Sequence, residues 1–142
     1  MLSYKWKDNE PLFHHVLHIT VYNLDDSPTH NKLHTYCKIV WDAGFHWAWS
    51  NTYCIDQSDH FILQEALVTM FKWYQGSALM IVFLHGISSS LPPNTLVGSI
   101  WNAHGWTLQE YIVVKKVRFY TEDWTLLRYS VTELQRVLRS CC

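Results

Sequence analysis

Apolar residues recur at helical spacing in two segments of the chain, 33–41 and 63–74. They fall every three or four positions, and a glycine follows each run. This spacing places the apolar side chains on one face of a helix, so we expect two amphipathic helices. Ser130 and Glu133 have the spacing of a capping box, which predicts a last helix at about 130–140.

Five segments have the apolar, β-branched or aromatic character of strands. They are 1–6, 16–22, 45–50, 78–84 and 117–120. The fourth is apolar at every position, which predicts a strand buried on both faces. Because strands alternate with helices, we expect a single α/β domain over residues 1–142 with a mostly parallel sheet.

The carboxyl ends of parallel strands form the edge of the sheet at which ligands bind. The predicted ends lie near Trp6, near 50–56, near 84–86 and in the loop before Trp106, which a short helix at 107–111 follows. We therefore expect the binding crevice among these segments.

Three carboxylates fall close to this predicted crevice: Asp56, Glu65 and Glu110. A carboxylate held under a sugar carbon stabilises the positive charge that develops when a glycosidic bond breaks. The alternative is structural, with Asp56 capping a turn or helix and Glu110 on a solvated helix face. Spacing alone favours the structural roles, because acidic residues near strand ends are common in α/β domains.

The composition narrows the classes of function. Hydrophobic residues make up 49% of the chain and charged residues 16%, which excludes a disordered chain. The formal net charge is -1 with no basic stripe, so we expect no nucleic-acid partner. The apolar run 78–84 is far shorter than the roughly 20 residues of a membrane-spanning helix, and no export signal is visible. We expect a cytoplasmic protein without a transmembrane segment.

The histidines and cysteines indicate neither a metal site nor a disulfide framework. His14, His15 and His18 lie close in sequence, but no acidic or cysteine ligand has a matching spacing, so we expect no metal. The four cysteines show no disulfide framework, which fits a reducing compartment. The terminal pair Cys141 and Cys142 matches the prenylation signal of one class of small GTPases. The motifs of a GTPase are absent from the sequence.

Several short motifs, taken in order, resemble one family. Gly-Trp-Thr-Leu-Gln-Glu at 105–110 resembles the hallmark of the fungal heterokaryon incompatibility (HET) domain, and Cys-Ile-Asp-Gln at 54–57 is similar to its second motif. Further similarity lies at 2–6, 42–50 and 65–74. The resemblance covers about residues 2–124, and several motifs in the same order are far more specific than any one tetrapeptide.

The resemblance implies a TIR-like, flavodoxin-type sheet with helices on both faces and the first strand in its centre. It also implies a role in fungal self/non-self recognition and in programmed cell death after unlike hyphae fuse. Some TIR relatives cleave NAD at the nicotinamide-ribose bond with a glutamate in a Trp-Cys-x-x-Glu pattern. Trp106 and Glu110 have the same spacing here. NAD is then the expected substrate and Glu110 the critical catalytic carboxylate.

The same resemblance implies a pocket around this glutamate. Its expected binding residues are Ser3, Trp6, Asp56, His104 and Trp106. Trp106 either stacks on a ring of the ligand or packs in the core, and Asp56 is either a polar contact or a turn cap. His104 stands where the family usually has arginine, so its charge depends on pH. Asn51 and Ile62 stand where many members carry acidic residues.

Two other classes of function remain open at this stage. The chain is rich in aromatic residues, with eight Trp, eight Tyr and six Phe, and aromatic side chains are favoured at interface cores. A non-catalytic module that associates with itself or with another signalling protein is therefore the alternative. A flavodoxin-type protein that binds a small molecule such as a nucleotide is the third hypothesis.

Overall fold

A computed structural model describes residues 1–5, 10–90 and 113–128. The chain divides into two compact units. The first contains Met1, residues 3–5 and the described residues from Phe71 onward; the second contains Leu2 and the described residues up to Met70. Whether these segments make one functional domain, as the sequence predicts, stays a prediction.

The described elements alternate between strands and helices. In chain order they are β1 (Leu2–Tyr4), α1 (Phe13–Val16), a 3-10 turn (Val21–Asn23), α2 (Pro28–Asp42), α3 (Asn51–Cys54), α4 (His60–Gly76), β2 (Met80–Leu84), β3 (Val117–Thr121) and β4 (Leu126–Leu127). The predicted α/β class is confirmed. The predicted helices at 107–111 and 130–140 lie outside the described residues.

The four described strands form one sheet in the order β1-β2-β3-β4. β2 and β3 are parallel, with Met80 opposite Val117, and β4 is antiparallel to β3. At the other side of β2, the Met1 amine donates to the Leu79 carbonyl and the Ile81 amide donates to the Met1 carbonyl, both at 2.9 Å. These two bonds alternate as in a parallel pair, so the predicted mostly parallel sheet is confirmed.

The position of β1 differs from the one that the resemblance implies. In the described part of the chain β1 is the edge strand of the sheet, not the central strand. The flavodoxin-type strand order therefore stays a prediction.

The central strand β2 supplies much of the core. All five of its residues are buried, and Met80, Val82 and Leu84 have no exposed surface. Pairing on both edges and burial on both faces explain why the strand is apolar at every position. The prediction for this segment is confirmed.

Both predicted amphipathic helices are present. α2 begins where the Ser27 hydroxyl accepts a hydrogen bond from the His30 amide at 3.2 Å, with Pro28 in its first turn. It buries Leu33, Tyr36 and Val40 and ends before Gly44, whose φ of +83° suits glycine.

α4 begins in the same way. The Asp59 carboxylate accepts hydrogen bonds from the amides of Phe61 and Ile62, at 2.9 and 3.2 Å. This side chain therefore satisfies two of the amide groups that have no partner inside the helix.

The strand predicted at 16–22 is wrong. α1 ends at Val16 and a 3-10 turn occupies Val21–Asn23, while the apolar side chains between them, Leu17 and Ile19, are about half exposed. β-branched residues favour a strand only where a partner strand and a buried face exist. In the described residues this segment has neither.

The strand predicted at 45–50 is also wrong, although its backbone is tied down. The Tyr36 hydroxyl donates to the Trp49 carbonyl at 3.1 Å and accepts from the Trp49 amide at 3.3 Å. The Trp49 carbonyl also accepts from the Leu2 amide at 2.9 Å. One buried tyrosine and the first residue of β1 therefore hold the backbone of Trp49 without making 45–50 a strand.

The burial of Leu84 generates a test of the core. Leu84→Ala removes a side chain without exposed surface, so we expect it to lower the free energy of unfolding by about 2–5 kcal/mol. Leu126, in the same sheet, is 41% exposed, and Leu126→Ala should cost about 1 kcal/mol or less. Urea unfolding followed by circular dichroism measures both. Equal losses at the two positions would contradict the assignment of β2 as the buried centre.

Candidate functional site

The structure describes two of the six residues that the sequence predicts for the site. Ser3 is the middle residue of β1 and is 3% exposed, and Asp56 follows α3. Ser3 belongs to the first unit and Asp56 to the second, so each is placed within its own unit. Trp6, His104, Trp106 and Glu110 lie outside the described residues, and their roles stay predictions.

Asp56 makes a tight turn with Ser58. Its Oδ1 accepts hydrogen bonds from the Ser58 hydroxyl at 2.6 Å and from the Ser58 amide at 3.0 Å. These bonds favour the ionised carboxyl and hold the pKa of Asp56 below its ordinary value. Of the two roles predicted for Asp56, the turn cap is therefore present. A contact with a ligand stays a prediction.

A buried charged cluster lies just before the Cys-Ile-Asp-Gln motif. The Glu10 carboxylate accepts hydrogen bonds from Lys32 Nζ and, at 3.3 Å, from the Tyr53 hydroxyl. The Lys32 and Glu10 side chains are only 8% and 3% exposed. We call these three residues the Glu10 cluster. It joins the segment after β1 to α2 and to α3, the short helix that leads into Asp56.

Sequence analysis missed this cluster, although one signal was present. Lys32, Tyr36 and Val40 are spaced four residues apart, so the lysine lies on the buried stripe of α2. A lysine is almost never fully buried unless it is paired. Such a position predicts a carboxylate partner, but the sequence does not say that the partner is Glu10.

Polar side chains also collect where β2 and β3 end. Glu122 accepts from the Gly86 amide at 3.0 Å, and its Oε2 lies 3.9 Å from His85 Nδ1. Asp123 accepts from the hydroxyls of Thr121 and Ser89, and these two bonds lower the pKa of Asp123 to about 2. A hydrogen-bonded polar edge therefore lies at 84–86, one of the four segments among which the crevice is predicted. The crevice itself stays a prediction.

The loop at this edge is further fixed by Trp124. Its φ of +59° is unusual for a residue other than glycine. Its ring lies 4.7 Å from that of Phe83 and 5.8 Å from that of Tyr120, measured between centroids. Packing on two core aromatics explains how this backbone conformation is maintained.

An apolar cavity of about 400 Å³ lies within the second unit. Its lining among the described residues includes Tyr22, Cys37, Trp41, Phe45 and His46 and contains no carboxylate. Burial raises the pKa of the Cys37 thiol, with a smaller contribution from Cys54, so the thiol is neutral near pH 7. The residues described around this cavity therefore supply no carboxylate for glycosidic cleavage.

The described residues contain neither a metal-binding group nor a helix that could span a membrane. Across 1–5, 10–90 and 113–128, no three histidine, cysteine or acidic side chains come together in a way that could hold a metal ion. Among the helices in the same ranges, none combines the length and the apolar character that crossing a membrane requires.

Comparison with known proteins identifies the family. The profile described as heterokaryon incompatibility protein (HET) matches residues 1–96, about two thirds of the chain. This chain therefore belongs to the heterokaryon incompatibility family, and the resemblance seen in its motifs is confirmed. The matched region contains Cys-Ile-Asp-Gln at 54–57 but ends before Gly-Trp-Thr-Leu-Gln-Glu at 105–110.

A relative of known name is similar over a similar length. The chain is 32% identical over 102 residues to vegetative incompatibility protein HET-E-1 of Podospora anserina. The alignment covers 66% of this chain but 8% of that protein, so the relative is a far longer molecule. No solved structure matches the chain.

The Glu10 cluster generates a test of stability. Lys32→Met leaves the Glu10 carboxylate buried without its cation, and we expect the free energy of unfolding to fall by about 3–5 kcal/mol. Lys38→Met is the matched control, because Lys38 pairs with Asp42 at 2.7 Å on the surface, where both side chains are more than half exposed. That control should change stability by about 0.5 kcal/mol or less. Chemical unfolding that gave equal effects would refute the buried pair.

The Asp56 turn generates a test by titration. Ser58→Ala removes the strongest hydrogen bond to Asp56, so the pKa of this carboxyl should rise toward its ordinary value. Because the folded-state pKa is lowered, ionised Asp56 favours folding above the unfolded-state pKa, and this contribution is lost as pH falls through the folded-state pKa. Carboxyl carbon shifts in NMR measure the change, with Ser77→Ala as the control. An unchanged Asp56 titration in Ser58→Ala would rule out the turn as the cause.

Proposed function

We propose that this chain is a signalling module of heterokaryon incompatibility, acting in the cell death that follows fusion of unlike hyphae, and that it cleaves NAD. The family match over residues 1–96 carries the first part of the proposal. The printed name of the Podospora relative, a vegetative incompatibility protein, agrees with it. The spacing from Trp106 to Glu110 supports the second part.

The described sheet is compatible with such a site. Its parallel strands β2 and β3 end at the polar edge formed around Glu122 and Asp123, where α/β proteins bind ligands. In the proposal Glu110, Trp106 and His104 approach the substrate from the segment between these two strands. Ser3, Trp6 and Asp56 remain the other binding residues that the family resemblance implies.

The proposed chemistry requires one carboxylate and no metal. The bond between nicotinamide and C1′ of the ribose breaks, and nicotinamide leaves as a neutral molecule with the electron pair of that bond. The ionised Glu110 carboxylate stabilises the positive charge that develops on the ribose. Water then adds to C1′ and releases a proton, which yields ADP-ribose.

A second function, a self-associating module without catalysis, is favoured by a separate observation. Several large apolar side chains of the described residues are exposed, among them Trp47 at 92%, Phe61 at 88% and Val68 at 79%. Exposed apolar side chains mark interaction surfaces where they form contiguous patches. The two functions are compatible, because assembly can precede cleavage.

The catalytic proposal is tested with the full chain at high concentration. Chromatography measures the nicotinamide that is released from NAD. Glu110→Gln keeps the size of the side chain and removes its charge, so we expect release to fall by about 100-fold or more. Asp42→Asn is the control, since Asp42 is an exposed carboxylate on α2 that should not affect turnover.

Equal release by the wild type and Glu110→Gln, including no release by either, would overturn the enzymatic part. The interaction module would then be the better explanation. Circular dichroism of each variant separates loss of activity from loss of the fold.

A further inference from the structure

The short helix α3 cannot hold its own place in the structure. It has four residues, Asn51–Cys54, which make a single turn. Isolated helices of this length are unstable in water, so contacts with other segments fix the position and direction of α3. Asp56 comes two residues after the helix and follows its position. The contacts that hold α3 therefore also decide where the Asp56 carboxylate lies.

Tyr53 provides α3 with a directional contact. Its side chain is buried, and its hydroxyl donates to Oε2 of Glu10 at 3.3 Å. Oε1 of the same carboxylate accepts a hydrogen bond from Lys32 Nζ on α2. Glu10 therefore uses one oxygen for each helix, and this fixes α3 relative to α2.

The backbone between this contact and Asp56 is short and partly buried. Only Cys54 and Ile55 separate Tyr53 from Asp56, and Ile55 is 5% exposed. Three residues of chain span at most about 11 Å, so a displacement of Tyr53 is passed on to the carboxylate. The bonds from Ser58 hold the Asp56 side chain relative to its own turn but not relative to the other helices.

The segment that contains Glu10 also approaches Asp56 through α1. This helix begins three residues after Glu10 and contacts α3. The bonds from Ser58 are the main cause of the low pKa of Asp56, and His14 of α1 adds a smaller effect in the same direction. His14 therefore lies within electrostatic range of Asp56. The bond between Glu10 and Tyr53 holds the start of α1 beside α3.

Stability alone does not explain why this contact is ionic. A buried ion pair adds little to the free energy of folding, because the cost of desolvating the charges offsets their attraction. Apolar side chains of similar volume would fill the same space without that cost. Hydrogen bonds to a carboxylate have a preferred direction, so they define one geometry where apolar packing allows several. The Glu10 cluster therefore contributes more to the position of α3 than to stability.

From these contacts we infer that Glu10, Lys32 and Tyr53 are positioning residues for Asp56, which hold α3 so that this carboxylate meets the substrate from one fixed place. The inference rests on the NAD cleavage proposed above, in which Asp56 is a binding residue and Glu110 the catalytic carboxylate. A carboxylate accepts hydrogen bonds, and the ribose hydroxyls of NAD are suitable donors. The cluster acts on substrate binding through Asp56 and takes no part in bond cleavage.

Tyr53→Phe tests the inference with the smallest change. It removes the hydroxyl that joins α3 to Glu10, and it leaves the ring and the pair of Glu10 with Lys32 in place. We expect the carboxyl carbon resonance of Asp56 to shift in NMR, although the bonds from Ser58 are retained. The KM for NAD should rise about tenfold while kcat stays within about twofold, because the loss concerns binding and not cleavage.

Val40→Ala is the matched control. Val40 is buried on the same helix as Lys32 and lies eight residues further along, which is about 12 Å. Its truncation lowers the free energy of unfolding through lost packing but removes no group of the Glu10 cluster. The Asp56 resonance and the KM should therefore keep their wild-type values. Urea unfolding of both variants shows how far each is destabilised, and circular dichroism confirms their fold.

Three results would overturn the inference: an Asp56 resonance that is unchanged in Tyr53→Phe, the same shift of that resonance in Val40→Ala, or an active chain whose KM does not rise in Tyr53→Phe. The first two are measured without NAD. A wild type that releases no nicotinamide refutes the enzymatic proposal, and the Asp56 resonance then still decides whether the cluster positions this carboxylate.

Discussion

The arrangement of the second unit depends on one buried carboxylate. A charge taken out of water costs several kcal/mol unless a partner compensates it, so Glu10 stays buried only while Lys32 and Tyr53 are in place. These partners come from α2 and α3 and lie 22 and 43 residues after Glu10 in the sequence. The cluster therefore favours one arrangement of the segment around Glu10, α2 and α3. The turn that contains Asp56 follows directly after α3.

The elements that the sequence predicted correctly are those whose signal is local. α2 and α4 show their period of 3.6 residues, and β2 shows an unbroken apolar run; each needs only its own residues to be recognised. The segment 45–50 has the composition of a strand but bonds through Trp49 to the hydroxyl of Tyr36. No rule of spacing connects a tyrosine on a helix to a carbonyl 13 residues later, so this failure has a definite physical cause.

Some hydrogen bonds near the predicted site join neighbouring residues, and others join residues that are distant in sequence. The Asp56 turn involves a serine two residues away, and a turn was one of the two roles that the sequence offered for it. The bonds from Ser89 to Asp123 and from Gly86 to Glu122 join residues more than 30 positions apart, and only the parallel pairing of β2 and β3 brings them together. The expectation that Glu110 is the catalytic carboxylate came from the family motifs. A motif gives residue types and their spacing but does not give their geometry.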